Sequence, residues 1–399
     1  MTMDLSNKAK QINPSLTLEI TAKAKELKEA GIDVVSFGAG EPDFNTPENI
    51  IKAAIRAMEE GKTKYTATSG ILDLRNAICE KFKVDNGLLY KPNQIVVSTG
   101  AKQSLANAFL AILNKGDEVI IPVPYWVSYP ELVKLSDGVP IFVNTLKEND
   151  YKYTIKDLEK VVTKKTKAIL LNSPNNPTGS IYTKEELREI AEFAKKYDLI
   201  IVSDEIYEKL IYDGNKHISI ASLSEDAYKR TIVINGLSKS YAMTGWRIGY
   251  SACSEEMSKL MSSIQSHVTS NINSISQYAA VEALTGTQES IKIMIQEFEK
   301  RRNYMIDRLN NIEGISYIRP SGAFYIMVCI EGFYGKNING NIIKSSLDFS
   351  KSILEEENVA VIPGIAFGLD EYIRLSYATS INVIEEGLNR IENYLRKLK

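Results

Sequence analysis

From about residue 47 the chain alternates helical patterns with short β-branched apolar runs, and no other feature restricts its possible folds so sharply. QIVVSTG runs straight into AKQSLANAFLAIL, and DEVIIPVPYW, TKAILLNSP, DLIIVSDE and RTIVINGLSK follow as further apolar runs bounded by polar residues. Near-continuous apolar strands must be buried on both faces. Between TKAILLNSP and DLIIVSDE lies TKEELREIAEFAKKY, where Thr183 and Glu186 form a capping box and Leu187, Ile190 and Ala194 an apolar stripe. Strand, helix and strand make a βαβ unit. The pattern predicts an α/β fold, a mostly parallel sheet covered by helices, with ligands bound beyond the carboxyl ends of the strands.

The alternation begins near residue 47. PENIIKAAIRAMEEG offers Thr46 as N-cap, Pro47 at the first helical position, apolar Ile50, Ile51, Ala54, Ile55 and Met58, and Gly61 as the stop. After about residue 285 the pattern changes. QESIKIMIQEFEKRRNYMIDRLNNIEG reads as a long helix, followed by SGAFYIMVCI, a helix near LDFSKSILEEEN, the strand pairs VAVIPG and EYIRLSYA, and a final amphipathic helix. This predicts a large domain over 48–285 and a smaller α+β domain built from 1–47 plus 286–399. The N-terminal segment, set off by GAGEPDFNTP, packs with the latter.

Charge excludes several classes of partner. Lysine and arginine (48) nearly balance aspartate and glutamate (50), giving a net charge of -2, so there is no basic field for nucleic acid or anionic lipid. No apolar run approaches the ~18 residues that span a membrane, and MTMDLSNKAKQINPSLTLEI has no apolar leader core. The three cysteines, Cys79, Cys253 and Cys329, are odd in number and widely spaced, which fits a reducing cytoplasm. His217 and His267 are the only histidines and lack metal-ligand spacing, so no metal site is expected and acid–base work falls to a lysine, tyrosine, carboxylate or cofactor.

The strand ends carry the chemistry. After QIVVS comes Thr99-Gly100-Ala101-Lys102, a glycine turn opening a helix whose free N–H groups suit a phosphate, although such a turn can also merely end a strand. After TKAILLNS comes Pro174-Asn175-Asn176-Pro177-Thr178-Gly179, which fixes a loop and aims an amide, or is simply a tight turn. DLIIVS ends in Asp204-Glu205, then Ile206-Tyr207. A carboxylate there is costly to bury unless it meets a cation or protonated nitrogen. RTIVING delivers Lys239, with Arg247 eight residues on. Phosphate cradle, carboxylate, phenol, amide, lysine and arginine together match pyridoxal phosphate, whose aldehyde needs an amine, whose ring nitrogen needs a carboxylate and whose phosphate needs N–H groups and an arginine. A dinucleotide or nucleotide fold is the competitor, but no GxGxxG or Walker lysine motif follows any strand.

At these residues the chain resembles the aspartate aminotransferase family of fold-type I pyridoxal-phosphate enzymes. GAGEPDFNTP, KTKYTATSGILDLR, PYWVSYPE, NSPNNPTG, SDEIYEKLIYDG, SKSYAMTGWRIGY, SGAFY and RLSYATS carry the resemblance over nearly the whole length. It implies that Lys239 bonds the cofactor's aldehyde carbon and carries protons, that Asp204 partners the ring nitrogen, and that Tyr207 and Asn176 donate to the ring hydroxyl oxygen. It implies Trp126 as an aromatic plate on the ring, with Gly100, Ala101, Lys102 and Arg247 around the phosphate and Tyr65 reaching the phosphate of a neighbouring subunit. Arg374, flanked by Asn176 and the Gly40 backbone, would hold the substrate α-carboxylate. Gly236 stands where many relatives place a phosphate-binding serine, a role Ser238 or a water would take over. Lys102 favours a substrate with a distal carboxylate, with Thr17 as helper; it also fits an ordinary helix-start lysine.

The implied function is ping-pong transfer of an amino group, from aspartate to 2-oxoglutarate, by a cytoplasmic homodimer with shared active sites. An aromatic or prephenate aminotransferase and a carbon–sulfur β-lyase are the alternatives on the same scaffold. A cofactor-sensing transcription regulator would add a basic DNA-binding domain, for which the roughly 45 residues before the sheet leave no room.

Overall fold

In the computed structural model, which describes residues 4–399, seven strands form one sheet. They are β1 (Ile95–Thr99), β2 (Glu118–Val123), β3 (Val139–Asn144), β4 (Thr166–Asn172), β5 (Ile200–Asp204), β6 (Thr231–Gly236) and β7 (Ile248–Ala252), in spatial order β1-β7-β6-β5-β4-β2-β3. All neighbours pair in parallel except β7, which runs antiparallel between β1 and β6. The mostly parallel, helix-covered sheet is the architecture the alternating pattern predicts. One face is filled by Val96, Leu105, Phe109, Ile121, Leu170, Val202 and Ile232, and the other by Val97, Ile120, Ile169, Ile201 and Val233. Each fully buried aliphatic side chain contributes roughly 1.5–3 kcal/mol.

Strand register decides what meets at the carboxyl edge. Asn172 of β4 lies opposite Asp204 of β5, and Asp204 opposite Ile234 of β6, so the loops leaving these three strands start side by side. The reversed strand does the rest. Thr99 of β1 pairs with Ile248 of β7, which sets Arg247 beside the turn at Gly100.

A second sheet of four antiparallel strands contains β8 (Ser316–Tyr317), β9 (Tyr325–Cys329), β10 (Ile362–Pro363) and β11 (Tyr372–Ser376), in order β10-β11-β9-β8. The long helix Glu289–Leu309 and the last helix Ile381–Lys397 pack around it. The N-terminal segment joins this unit: Val35–Ser36 pairs in parallel with Val359–Ala360, and the helix Leu16–Glu29 buries Ala24 against Val34 and Ala360.

Two local expectations change. The helix Glu48–Glu59 is capped by Pro47, not by Thr46. The Thr46 hydroxyl donates to the Ala242 carbonyl (2.8 Å) and accepts from Trp246 Nε1 (2.9 Å), because a contact across the chain outcompetes the local cap. Of that helix's apolar stripe, Ile50 and Ala54 are buried whereas Ile51, Ile55 and Met58 are exposed, so the helix carries a second, outward apolar face. The capping box at Thr183 and Glu186 forms as predicted, with bonds of 2.7 and 3.2 Å.

Gly249 shows how tightly β7 is inserted. A Cβ there would stand 2.1 Å from the Ala101 backbone nitrogen. Gly249→Ala is expected to cost about 1–3 kcal/mol through overpacking, read as a lowered midpoint in urea unfolding with an unchanged slope.

Candidate active site

One cavity of about 660 Å³ opens beyond the carboxyl edge of the large sheet. The register described above delivers its floor, and the smaller sheet supplies its far wall through Tyr325 and Arg374. Gly40, Ala101, Lys102, Trp126, Asn176, Asp204, Tyr207, Ser238, Lys239, Arg247 and Arg374 all line it, as does Thr17. Gly100 sits just behind this lining as N-cap of the helix Ala101–Ile112. Tyr65 is the exception: it lies outside the cavity and is 90% exposed.

Asp204 lies on the floor, 3% exposed. Its Oδ2 accepts from the Tyr129 hydroxyl (2.8 Å) and its Oδ1 from the Ile206 N–H (3.2 Å). Asn172 extends the arrangement, donating through Nδ2 to the Asp204 carbonyl (3.0 Å) and accepting through Oδ1 from the Asn176 N–H (2.9 Å). Burial pushes the Asp204 carboxyl up to about 6, against the pull of the Tyr129 and Ile206 hydrogen bonds. No cation among the described residues pairs with it.

Across the cavity stand four cations. Lys239 Nζ donates to the Gly40 carbonyl, and burial brings its ammonium down to about 8; Glu41 opposes that fall while Arg247 and Arg374 assist it. Arg247 Nη1 donates to the Thr244 carbonyl (3.0 Å), and Glu41 is held by the Thr244 hydroxyl (2.6 Å). Lys102 Nζ lies 5.0 Å from the centre of the Trp126 ring, and burial with Arg247 nearby lowers its pKa. Arg374 is clamped between the rings of Tyr325 (4.1 Å) and Phe367 (4.9 Å), donates to Asn176 Oδ1 (2.9 Å), and leaves its buried Nε without a partner among the described residues. Among the described residues none of the four makes an ion pair. The cavity therefore holds fixed positive charge that anionic ligands would meet.

Backbone detail explains the glycines. Gly100 has φ +77°, and a Cβ on it would lie 2.4 Å from Arg247 Nη2, so only glycine admits the guanidinium to the head of this helix. Helix geometry leaves the Ala101 and Lys102 N–H groups without an acceptor inside the helix. Gly236 settles the question its sequence raises. A Cβ there would meet the Ile248 carbonyl oxygen at 2.7 Å and Gly249 Cα at 3.0 Å, so β7 excludes a serine, while Ser238, two residues on, lines the cavity.

Among the lining residues that the sequence did not disclose are Tyr129, Tyr325 and Glu41. Tyr129 follows Trp126 by one helical turn, and the rings meet edge to face at 5.2 Å; that spacing was the available signal. Tyr325, the last residue of SGAFY, shares a hydrogen bond of 3.1 Å with Tyr207, whose phenol burial holds well above the ordinary tyrosine range. Glu41 gave no signal beyond its place in GAGEPDFNTP.

The family described as aminotransferase class I and II matches residues 32–391. The chain belongs to this family. As an aminotransferase it is 51% identical to the aspartate aminotransferase of Bacillus sp. (strain YM-2), over 98% of this chain and 99% of that one. It superposes on the aspartate aminotransferase of Rhizobium meliloti with a TM-score of 0.96 and 42% identity over both whole chains. It superposes on that of Thermus thermophilus, solved with maleate, with a TM-score of 0.93 and 40% identity over 98% of this chain and 100% of the other. The aminotransferase is therefore a transferase of fold type I that uses pyridoxal phosphate. The donor set fits that cofactor: a buried carboxylate for a protonated ring nitrogen, a helix N-terminus with an arginine for a phosphate, an amine for an aldehyde, and an indole for a planar ring.

The raised carboxyl of Asp204 makes a prediction about the cofactor-free aminotransferase. A folded-state pKa above the unfolded value costs nothing below about pH 4, and the full cost is present above pH 6. Asp204→Asn should therefore stabilise the cofactor-free protein by about 1–2 kcal/mol at pH 7.5, seen as a raised melting temperature that returns to the parent value near pH 4.

Proposed function

We propose that the chain transfers the amino group of aspartate to 2-oxoglutarate, acting in the cytoplasm as a homodimer. Residues 48–285 would form the cofactor-binding domain, and 1–47 with 286–399 the smaller one. The observation that carries the reading is the charge pattern of the cavity: among the described residues Lys102, Lys239, Arg247 and Arg374 make no ion pair, with Glu41 the one carboxylate beside them, and they face Asp204, which has no cation partner. A phosphate, two substrate carboxylates and a protonated ring nitrogen are the complement of that pattern.

Bound pyridoxal phosphate supplies an aldehyde that captures amines and a cationic ring that accepts the electron pair of a broken C–H bond. In this reading Asp204 holds the proton on the ring nitrogen, Tyr207 and Asn176 donate to the ring hydroxyl oxygen, and Trp126 covers one ring face. Ala101, Lys102 and Gly100 at the helix N-terminus bind the phosphate with Arg247 and Ser238. Arg374, Asn176 and the Gly40 backbone orient the α-carboxylate, which brings the α-proton toward Lys239. Lys239 Nζ, with its pKa near 8, has a substantial neutral fraction at physiological pH and so can take that proton, which an ordinary lysine near ~10.4 could not. Lys102, with Thr17, would bind the distal carboxylate.

Dimerisation is supported by exposed apolar surface. Tyr65 projects almost fully into solvent, and Ile51, Ile55 and Met58 form an outward face on the helix Glu48–Glu59. In a dimer Tyr65 of each protomer would serve the other's phosphate.

Two substitutions test the reading. Lys239→Ala should lower turnover at least about a thousandfold while the folded protein still binds the cofactor, measured by steady-state assay and absorbance; unimpaired turnover would refute the assignment. Lys102→Ala should reduce kcat/KM for aspartate about 10- to 100-fold and leave alanine and phenylalanine within about threefold. An equal loss with all three amino acids removes the distal-carboxylate role.

A further inference from the structure

Directly behind Asp204, on the opposite face of its strand, lies a second buried carboxylate that the proposed chemistry leaves idle. Glu205 is 1% exposed. Its Oε1 accepts from the hydroxyls of Ser203 (2.9 Å) and Ser219 (2.8 Å), and its Oε2 meets His217 Nε2 (2.9 Å). Successive residues of a strand point to opposite faces, so Asp204 looks into the cavity while Glu205 looks into the protein. The Glu205 charge raises the affinity of Asp204 for a proton.

Glu208 stands near the same histidine, and its charge is already met. Lys81 Nζ pairs with it, Asn86 Nδ2 donates to it (3.1 Å), and Lys209 with Asp85 closes the group (2.8 Å). Glu205, Glu208 and His217 bring their ligand atoms within 4.8 Å of one another, but the Lys81 ammonium supplies there the positive charge a metal ion would bring. The hydroxyls of Tyr90, Tyr241 and Tyr250 surround the two glutamates and carry no charge at neutral pH. Facing Asp204 are the Tyr129 and Tyr207 hydroxyls, the Ile206 N–H and, across the cavity, Lys239. Of these charged and titratable groups, only His217 touches Glu205 and can neutralise it.

We propose that Glu205 and His217 are positioning residues for the cofactor: the imidazole hydrogen-bonded to the glutamate offsets the glutamate's field and so keeps Asp204 ionised to hold the ring nitrogen. Glu205 anchors the loop that carries Tyr207, and His217 offsets the charge of that anchor toward the cavity. The inference rests on the reading of Asp204 given above.

The test measures the affinity of cofactor-free protein for pyridoxal phosphate from pH 5 to 8 by calorimetry, alongside the acid limb of kcat/KM. His217→Asn, Glu205→Gln, the double variant and Asp204→Asn are compared with the parent. In His217→Asn the uncancelled glutamate should move the pH at which affinity is half lost upward by roughly half a unit or more. Glu205→Gln should not move it upward, and the double variant should return it to the parent value. Identical acid midpoints in all three overturn the proposal. If His217→Asn yields no folded protein, rescue by the double variant supports the coupling, and failure of the double variant as well makes the pair merely structural and overturns it. Asp204→Asn separates the two readings. If it keeps the parent's affinity, the role of Asp204 itself fails; if it loses affinity while the other variants keep the parent midpoint, only the present inference fails.

Discussion

Asp204 brings a carboxylate to the edge of a sheet where almost none of it remains in contact with water, and the described residues give it two hydrogen bonds but no cation. A buried carboxylate so placed is only partly compensated, because hydrogen bonds replace part of its hydration and none of its missing counter-charge. The opposite wall has the converse problem, with a lysine and an arginine buried without an ion-pair partner among the described residues, Glu41 offsetting the lysine's charge only in part. Each half of the cavity is electrostatically unfinished, and the two deficits have opposite sign. A ligand that is cationic at one end and anionic at the others relieves both, so the site's poor contribution to stability and its capacity to bind are one property.

The geometry that sets these charges apart comes from strand order. Parallel neighbours bring Asn172 and Asp204 to the same level, and the following strand brings the loop to Lys239. The single reversed strand then turns the chain so that Arg247, with φ +56°, enters from the other side. Glycines sit where backbones touch: at Gly236, Gly249 and Gly100 a single methyl group would collide with a neighbouring strand, helix or guanidinium. Their role is to let charged groups approach, not to loosen the chain.

Much of this was legible before any coordinates. Apolar runs betray buried strands, and the residues just after them become the ligands of a carboxyl-edge site, so Asp204, Asn176 and Lys239 could be named together. Arg374 could not be placed by periodicity, since an arginine in an alternating strand reads as a solvent-facing residue; it is buried between the ring of Tyr325, on the neighbouring strand, and that of Phe367, in the turn just before its own strand. Tyr129 was hidden for a similar reason, its partner being 75 residues away. Thr46 and the outward face of the helix Glu48–Glu59 were misread because local rules assume that a polar residue caps its own helix and that apolar residues face their own core.

The order of these residues along the chain also has a meaning in time. Synthesis is vectorial, and segments begin to organise as they emerge. The helix start at Gly100, then Asp204, Lys239 and Arg247, leave the ribosome well before Arg374 does. A nascent chain thus owns every group on the large sheet that could grip a cofactor while it still lacks the arginine that would orient a substrate. On the proposed reading, the last strand of the small sheet is then the element that would complete a site already furnished on the large one.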